Sequence, residues 1–84
     1  MLNVESTTRV YQFILHYITQ HEALPTYTQI ALAVVLTKPE VGQCIDHLRG
    51  AGRIEPGTLL PTTYSAWWRE HMRKNWSYEG MRQS

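Results

Sequence analysis

Two helix starts stand eleven residues apart in the middle of this chain, and they constrain it more than any other feature. Thr26 is followed three residues on by Gln29, and Thr37 three residues on by Glu40. Both pairs fit the capping box, in which each side chain satisfies an orphan N–H of the same first turn. The spacing predicts one helix over Tyr27 to about Val35 and another over Lys38 to about Arg49. Pro39 is tolerated inside the second start because first-turn N–H groups lack intrahelical acceptors. Two short helices separated by so few residues predict a helix-turn-helix.

Around that pair the chain divides simply. Met1 to Ser6 reads as a frayed lead-in, with Ser6, Thr7 or Thr8 as the cap of a first helix of about a dozen residues. Val10, Phe13, Ile14, Tyr17 and Ile18 recur at three- and four-residue spacings and form its apolar stripe. His21-Glu22 ends it, and Leu24-Pro25 forces extended chain toward the next cap. Ile30, Ala31, Val34 and Val35 supply the buried face of the second helix, and Leu36 closes the turn over the core. Val41, Cys44, Ile45 and Leu48 supply the buried face of the third. Gly42, inside that helix, costs about 0.5–1 kcal/mol relative to alanine and reads as a point of close packing against the second helix. Gly50 and Gly52 both suit a left-handed helix end. Arg53 to Glu55 and Thr58 to Leu60, joined by Pro56-Gly57, read as a very small hairpin. Tyr64, Trp67, Trp68, His71 and Met72 then mark an amphipathic helix, with a strand over Thr63 to Trp67 as the alternative.

The expected architecture is therefore mainly α: a three-helix core, a small β-hairpin and an additional C-terminal amphipathic helix. Eighty-four residues with 43% apolar content allow one modest core. We expect a single domain over residues 1–75 and a partly disordered tail over 76–84. The lone Cys44 leaves no intrachain disulfide and points to a reducing compartment, hence a cytoplasmic location. No window holds the roughly twenty apolar residues of a bilayer span.

From Phe13 to Glu55 the sequence resembles the winged helix-turn-helix DNA-binding domain of the LexA repressor family. Pro25-Thr26, Ile30-Ala31, Cys44-Ile45 through Leu48, and Gly52-Arg53-Ile54 carry the resemblance. It implies a hairpin that acts as a wing and a third helix that enters the major groove. It also suggests a small transcriptional regulator of the bacterial or phage type. On conventional docking, residues at the start and on the outer face of the third helix reach base edges. Gln43 is the best reader, because its amide pairs bidentately with adenine. Lys38 reaches guanine or phosphate, and His47 donates to either. Thr26, Tyr27 and Thr28 meet phosphate at a helix start, while Arg49 and Arg53 anchor the side near the wing.

The charge is small for such a role. Arg9 against Glu5 and Glu22 leaves residues 1–37 at −1, and residues 38–64 are balanced. Arg69, Arg73, Lys74 and Arg82 against Glu70 and Glu79 leave residues 65–84 at +2. Duplex affinity draws on cations that displace counterions, so a homodimer is expected. Trp67, Trp68, His71, Met72 and Trp76 are candidates for its interface or for a heterologous protein partner. Either the last helix folds back on the first or it pairs outward. The alternative function is a protein-interaction module that inhibits a host protein through this aromatic helix. His16, His21, His47 and His71 lack ligand spacing, so no metal or other cofactor is expected. No glycine-rich phosphate loop or nucleophile constellation points to an enzyme.

Overall fold

A computed structural model describes residues 3–71 and is mainly α-helical. Three helices, α1 (Val4–His21), α2 (Tyr27–Val34) and α3 (Lys38–Gly50), each pack on the other two. A 3₁₀ turn at Thr62–Tyr64 leads into helical residues 65–71.

The first helix is longer than its stripe predicts. Its cap is Asn3, whose side chain accepts from the N–H groups of Glu5 (2.8 Å) and Ser6 (3.4 Å). Asparagine is among the strongest N-caps, so the helix starts in what reads as lead-in. Ser6, Thr7 and Thr8 are helical, not caps. Thr7 is buried; its hydroxyl donates to the Asn3 carbonyl at 2.9 Å and lies 3.6 Å from Cys44 Sγ. The inner edge of α1 is thus Thr7, Val10, Ile14 and Ile18, while Phe13 and Tyr17 flank it half-buried. Glu22 ends the helix in the left-handed region, its N–H donating to the Ile18 carbonyl at 2.8 Å.

Both capping boxes form. In α2 the Gln29 N–H donates to Thr26 Oγ1 at 3.1 Å, and the Thr26 N–H donates to Gln29 Oε1 at 2.8 Å. In α3 the Glu40 N–H reaches Thr37 Oγ1 at 3.3 Å, and Glu40 Oε1 accepts from the Thr37 N–H at 3.0 Å. The buried set Val41, Cys44, Ile45 and Leu48 is as expected. Leu36 closes the turn, with its N–H on the Ala31 carbonyl at 3.0 Å.

Val35 departs from expectation. The helix stops at Val34, and Val35 takes the left-handed cap at φ 57° and ψ 54°. Its side chain swings off the Ile30–Ala31–Val34 face and is 83% exposed. A β-branched residue is strained there, by about 1–2 kcal/mol. Val35→Gly removes that strain and forfeits no burial. After the added unfolded-state entropy of glycine, we expect a net gain of up to about 1 kcal/mol in urea unfolding. An equal or lower midpoint would contradict the strain.

Two glycines are also corrected. Gly50 lies within the last turn of α3, and the left-handed position falls to Gly52 at φ 76°. At Gly42 an added Cβ would meet no atom within 4 Å, so close packing against α2 does not account for it.

Among the described residues no strand forms where the hairpin was expected. Residues 53–62 make a loop closed by one antiparallel bridge, Ile54 to Pro61. The Glu55 N–H donates to the Leu60 carbonyl at 2.8 Å, and the Thr62 N–H to the Arg53 carbonyl at 2.9 Å. The ladder stops because Thr58 intercepts it. Its hydroxyl takes the Leu60 N–H at 3.0 Å, and its own N–H turns back to the Glu55 carbonyl at 3.3 Å. On the other side Thr62 Oγ1 donates to the Gly52 carbonyl at 2.9 Å as the chain enters the 3₁₀ turn. Ile54 and Leu60 nevertheless cap the core.

Residues 63–68 are turn and helix, not strand. The segment folds back: the Tyr64 hydroxyl lies 3.3 Å from Thr19 Oγ1 of α1, and Trp68 packs half-buried against the core.

Candidate nucleic-acid interface

With its inner face committed to the core, α3 presents Gln43, Asp46 and His47 to solvent, with Lys38 and Glu40 at its start. Gln43 and His47 are four residues apart and share one side of the helix. Among the described residues the side chains of Lys38, Gln43 and His47 form no intrachain hydrogen bond or ion pair. They are held out by the rigid set beneath them, since Ile45 and Val41 are fully buried.

The acidic groups on this surface are not equivalent. Glu40 is drawn back into the cap, where Oε1 accepts from both the N–H and the hydroxyl of Thr37, the latter at 2.9 Å. These bonds, the backbone one foremost, hold its carboxyl below the ordinary glutamate range. Its charge therefore serves the α3 N-terminus, where a negative group is favourable. Asp46 stays out in solvent, 3.7 Å from Arg49 Nη1.

The expected arginine contacts are placed differently from Lys38 and Gln43. Arg49 is turned toward the bridged loop, where Nε (3.2 Å) and Nη2 donate to the Thr58 carbonyl. It ties that loop to α3 and is half-buried. Arg53 is exposed, with its guanidinium 5.6 Å from the centroid of the Tyr11 ring. At the start of α2, the Thr26 hydroxyl is occupied by its own cap, while Tyr27 and Thr28 are exposed. The structure thus groups Lys38, Gln43 and His47 on α3, and Tyr27 with Thr28 at the start of α2. Arg49 and Arg53 lie at the other end of α3.

The aromatic candidates divide within one helical segment. Trp68 faces inward and Trp67 outward, 40% exposed. Trp67 stacks on His71 at 5.2 Å with the rings 6° from parallel. Met72 and Trp76 lie outside the described residues.

Two exposed side chains were not anticipated. Leu32 is 77% exposed, and with Val35 it leaves an apolar pair beside the α2–α3 turn. Leu32 falls outside the Ile30, Ala31 and Val34 set, which was the available signal. Val35 gave no such signal, because one more helical residue would have buried it.

Among the described residues no three His, Cys, Asp or Glu side chains gather as a metal site, and no helix is long and apolar enough to cross a membrane. No family model, curated protein or solved structure matches the chain.

Proposed function

We propose that the chain binds double-stranded DNA sequence-specifically through α2 and α3 acting as a helix-turn-helix, with α3 in the major groove. The observation that carries this reading is the pair of boxed helices joined by three residues, Val35 to Thr37. That pair leaves Lys38 and Gln43 outward without an intrachain partner. The loop closed by Ile54 and Pro61 takes the place of a wing in this reading, a reduced version of the winged fold that the sequence resembles. Gln43 reads adenine, and Lys38 contacts phosphate or guanine. The N-terminus of α2, at Tyr27 and Thr28, offers backbone N–H groups to phosphate. Few cations face outward, so two copies on one operator supply the affinity that one copy lacks. A role as a small transcriptional regulator follows from such binding.

Selection of preferred duplexes from a random pool, followed by two variants, tests the reading. Gln43→Ala is expected to lose about 1–3 kcal/mol of discrimination at one base pair. Lys38→Ala is expected to weaken binding nearly uniformly and to lower the salt slope by about one. A Gln43→Ala protein that kept every wild-type base preference would refute the assignment.

A second reading, a protein-interaction module, draws on the exposed Leu32–Val35 pair and on Trp67. Loss of a protein partner on Leu32→Gln, with no duplex bound by the wild type, would favour it.

A further inference from the structure

Beside the first turns of α1, the last turn of α3 and Arg53 enclose a groove of about 480 Å³. Its volume lies within the range of small-molecule sites. The apolar part is made by Val4, Leu48, Ala51 and the Tyr11 ring, and the polar part by Thr8, His47 and Arg53. No carboxylate lines it.

Thr7, which also lines the groove, spends its hydroxyl on the Asn3 carbonyl, while the other three polar side chains are uncommitted. Among the described residues, neither the Arg53 guanidinium nor the His47 ring nor the Thr8 hydroxyl takes an intrachain hydrogen bond or ion pair. Arg53 is held by one face only, over Tyr11, which orients the guanidinium and leaves its edge donors available. The groove also opens beside the N-terminus of α1, whose dipole favours an anion. The last turn of α3 works in the opposite sense. Three of its carbonyls are taken, however, by the N–H groups of Ala51, Gly52 and Arg53 at 2.8–3.0 Å.

We propose that this groove binds a small apolar monocarboxylate. The carboxylate lies on the edge of Arg53, near Thr8 and His47, and the apolar body against Val4, Leu48 and Ala51. A single carboxylate is the match because the site offers one fixed guanidinium, whose fork suits that group. An apolar body is the match because the side chains of Val4, Leu48 and Ala51 carry no donor or acceptor. The site does not depend on the nucleic-acid reading, and its test contains no DNA.

The experiment is a heteronuclear NMR titration of the full 84-residue chain with 4-phenylbutyrate and, separately, with the neutral analogue 4-phenylbutan-1-ol. The expected result is saturable shifts centred on Tyr11, His47, Ala51 and Arg53, with the alcohol about tenfold weaker, the loss of one charge-assisted contact. Arg53→Gln should weaken the carboxylate about tenfold and leave the alcohol unchanged. Ala51→Leu, at the exposed end of α3, should obstruct the groove where the apolar body lies and abolish both shifts while thermal unfolding stays cooperative. Equal affinity for acid and alcohol, shifts centred elsewhere, no saturable binding of the acid, or binding that survives both substitutions would each overturn the proposal.

Discussion

Ile45→Ala is expected to lower stability by about 2–5 kcal/mol, measured by urea unfolding followed by far-ultraviolet circular dichroism. Ile45 is fully buried on the inner face of α3, in the core where the three helices meet. Truncation removes its transfer free energy and leaves a cavity that the surrounding helices cannot fully close. A chain of this length has a total stability of about 4–13 kcal/mol at typical per-residue values, so the loss approaches global unfolding at the lower end. Ile45→Val removes one methyl group and should cost only about 0.5–1.5 kcal/mol. A loss below 1 kcal/mol for the alanine variant would mean that α3 does not pack as described. Its outer face would then lack the rigid support that a reading helix needs.

Thr37→Ala is expected to cost about 1 kcal/mol of stability, within a range of 0.5–2. The hydroxyl satisfies the Glu40 N–H and donates to Glu40 Oε1, so its removal opens the first turn of α3. Thr37→Ser keeps both bonds and should restore most of the loss. The deficit should also depend on pH. Hydrogen bonds from Thr37 depress the folded pKa of Glu40, so its contribution is complete above the unfolded glutamate pKa. That contribution fades as pH falls through the lower folded value. The gap between wild type and Thr37→Ala, measured by urea midpoints, should therefore narrow at acid pH. A gap that stayed constant into the acid range would show that the bond from the Thr37 hydroxyl to the Glu40 carboxylate contributes nothing to the cap.

What could be read from the sequence follows from how local each signal is. A capping box is decided within four residues, and both boxes form where Thr26–Gln29 and Thr37–Glu40 place them. The Val41, Cys44, Ile45 and Leu48 set repeats over two turns of regular helix, so its burial was equally legible. Asn3 carries no box signature because Ser6, three residues on, completes none; an asparagine cap acts alone. Periodicity places Val35 on the buried face, and it lapses where the helix ends one residue early. The hairpin failed on a single hydroxyl, since Thr58 competes for the N–H and carbonyl groups that a second rung would need. Tyr64, Trp67, Trp68 and His71 share one stripe, but which tryptophan turns inward depends on the preceding turn. The 3₁₀ turn at Thr62–Tyr64 winds more tightly than an α-helix and sets that phase.

The candidate interface divides the same way. Lys38 and Gln43 lie outward because the buried set of α3 leaves them no alternative. The fate of the arginines rests on tertiary contacts nine and forty-two residues away in sequence, Arg49 with Thr58 and Arg53 with Tyr11. Neither contact has a sequence signature. The groove beside Arg53 was invisible for the same reason, because α1 and α3 build it together.

The proposed engagement of duplex DNA by α2 and α3 can be read by fluorescence anisotropy on a labelled random-sequence duplex. The wild-type chain should bind at about 50 mM salt and lose about a hundredfold in affinity by about 200 mM, as about four phosphate contacts by the bound dimer in total require. Light scattering on the same sample should give the mass of a dimer. No binding at about 50 mM salt, or binding indifferent to salt, would contradict the claim.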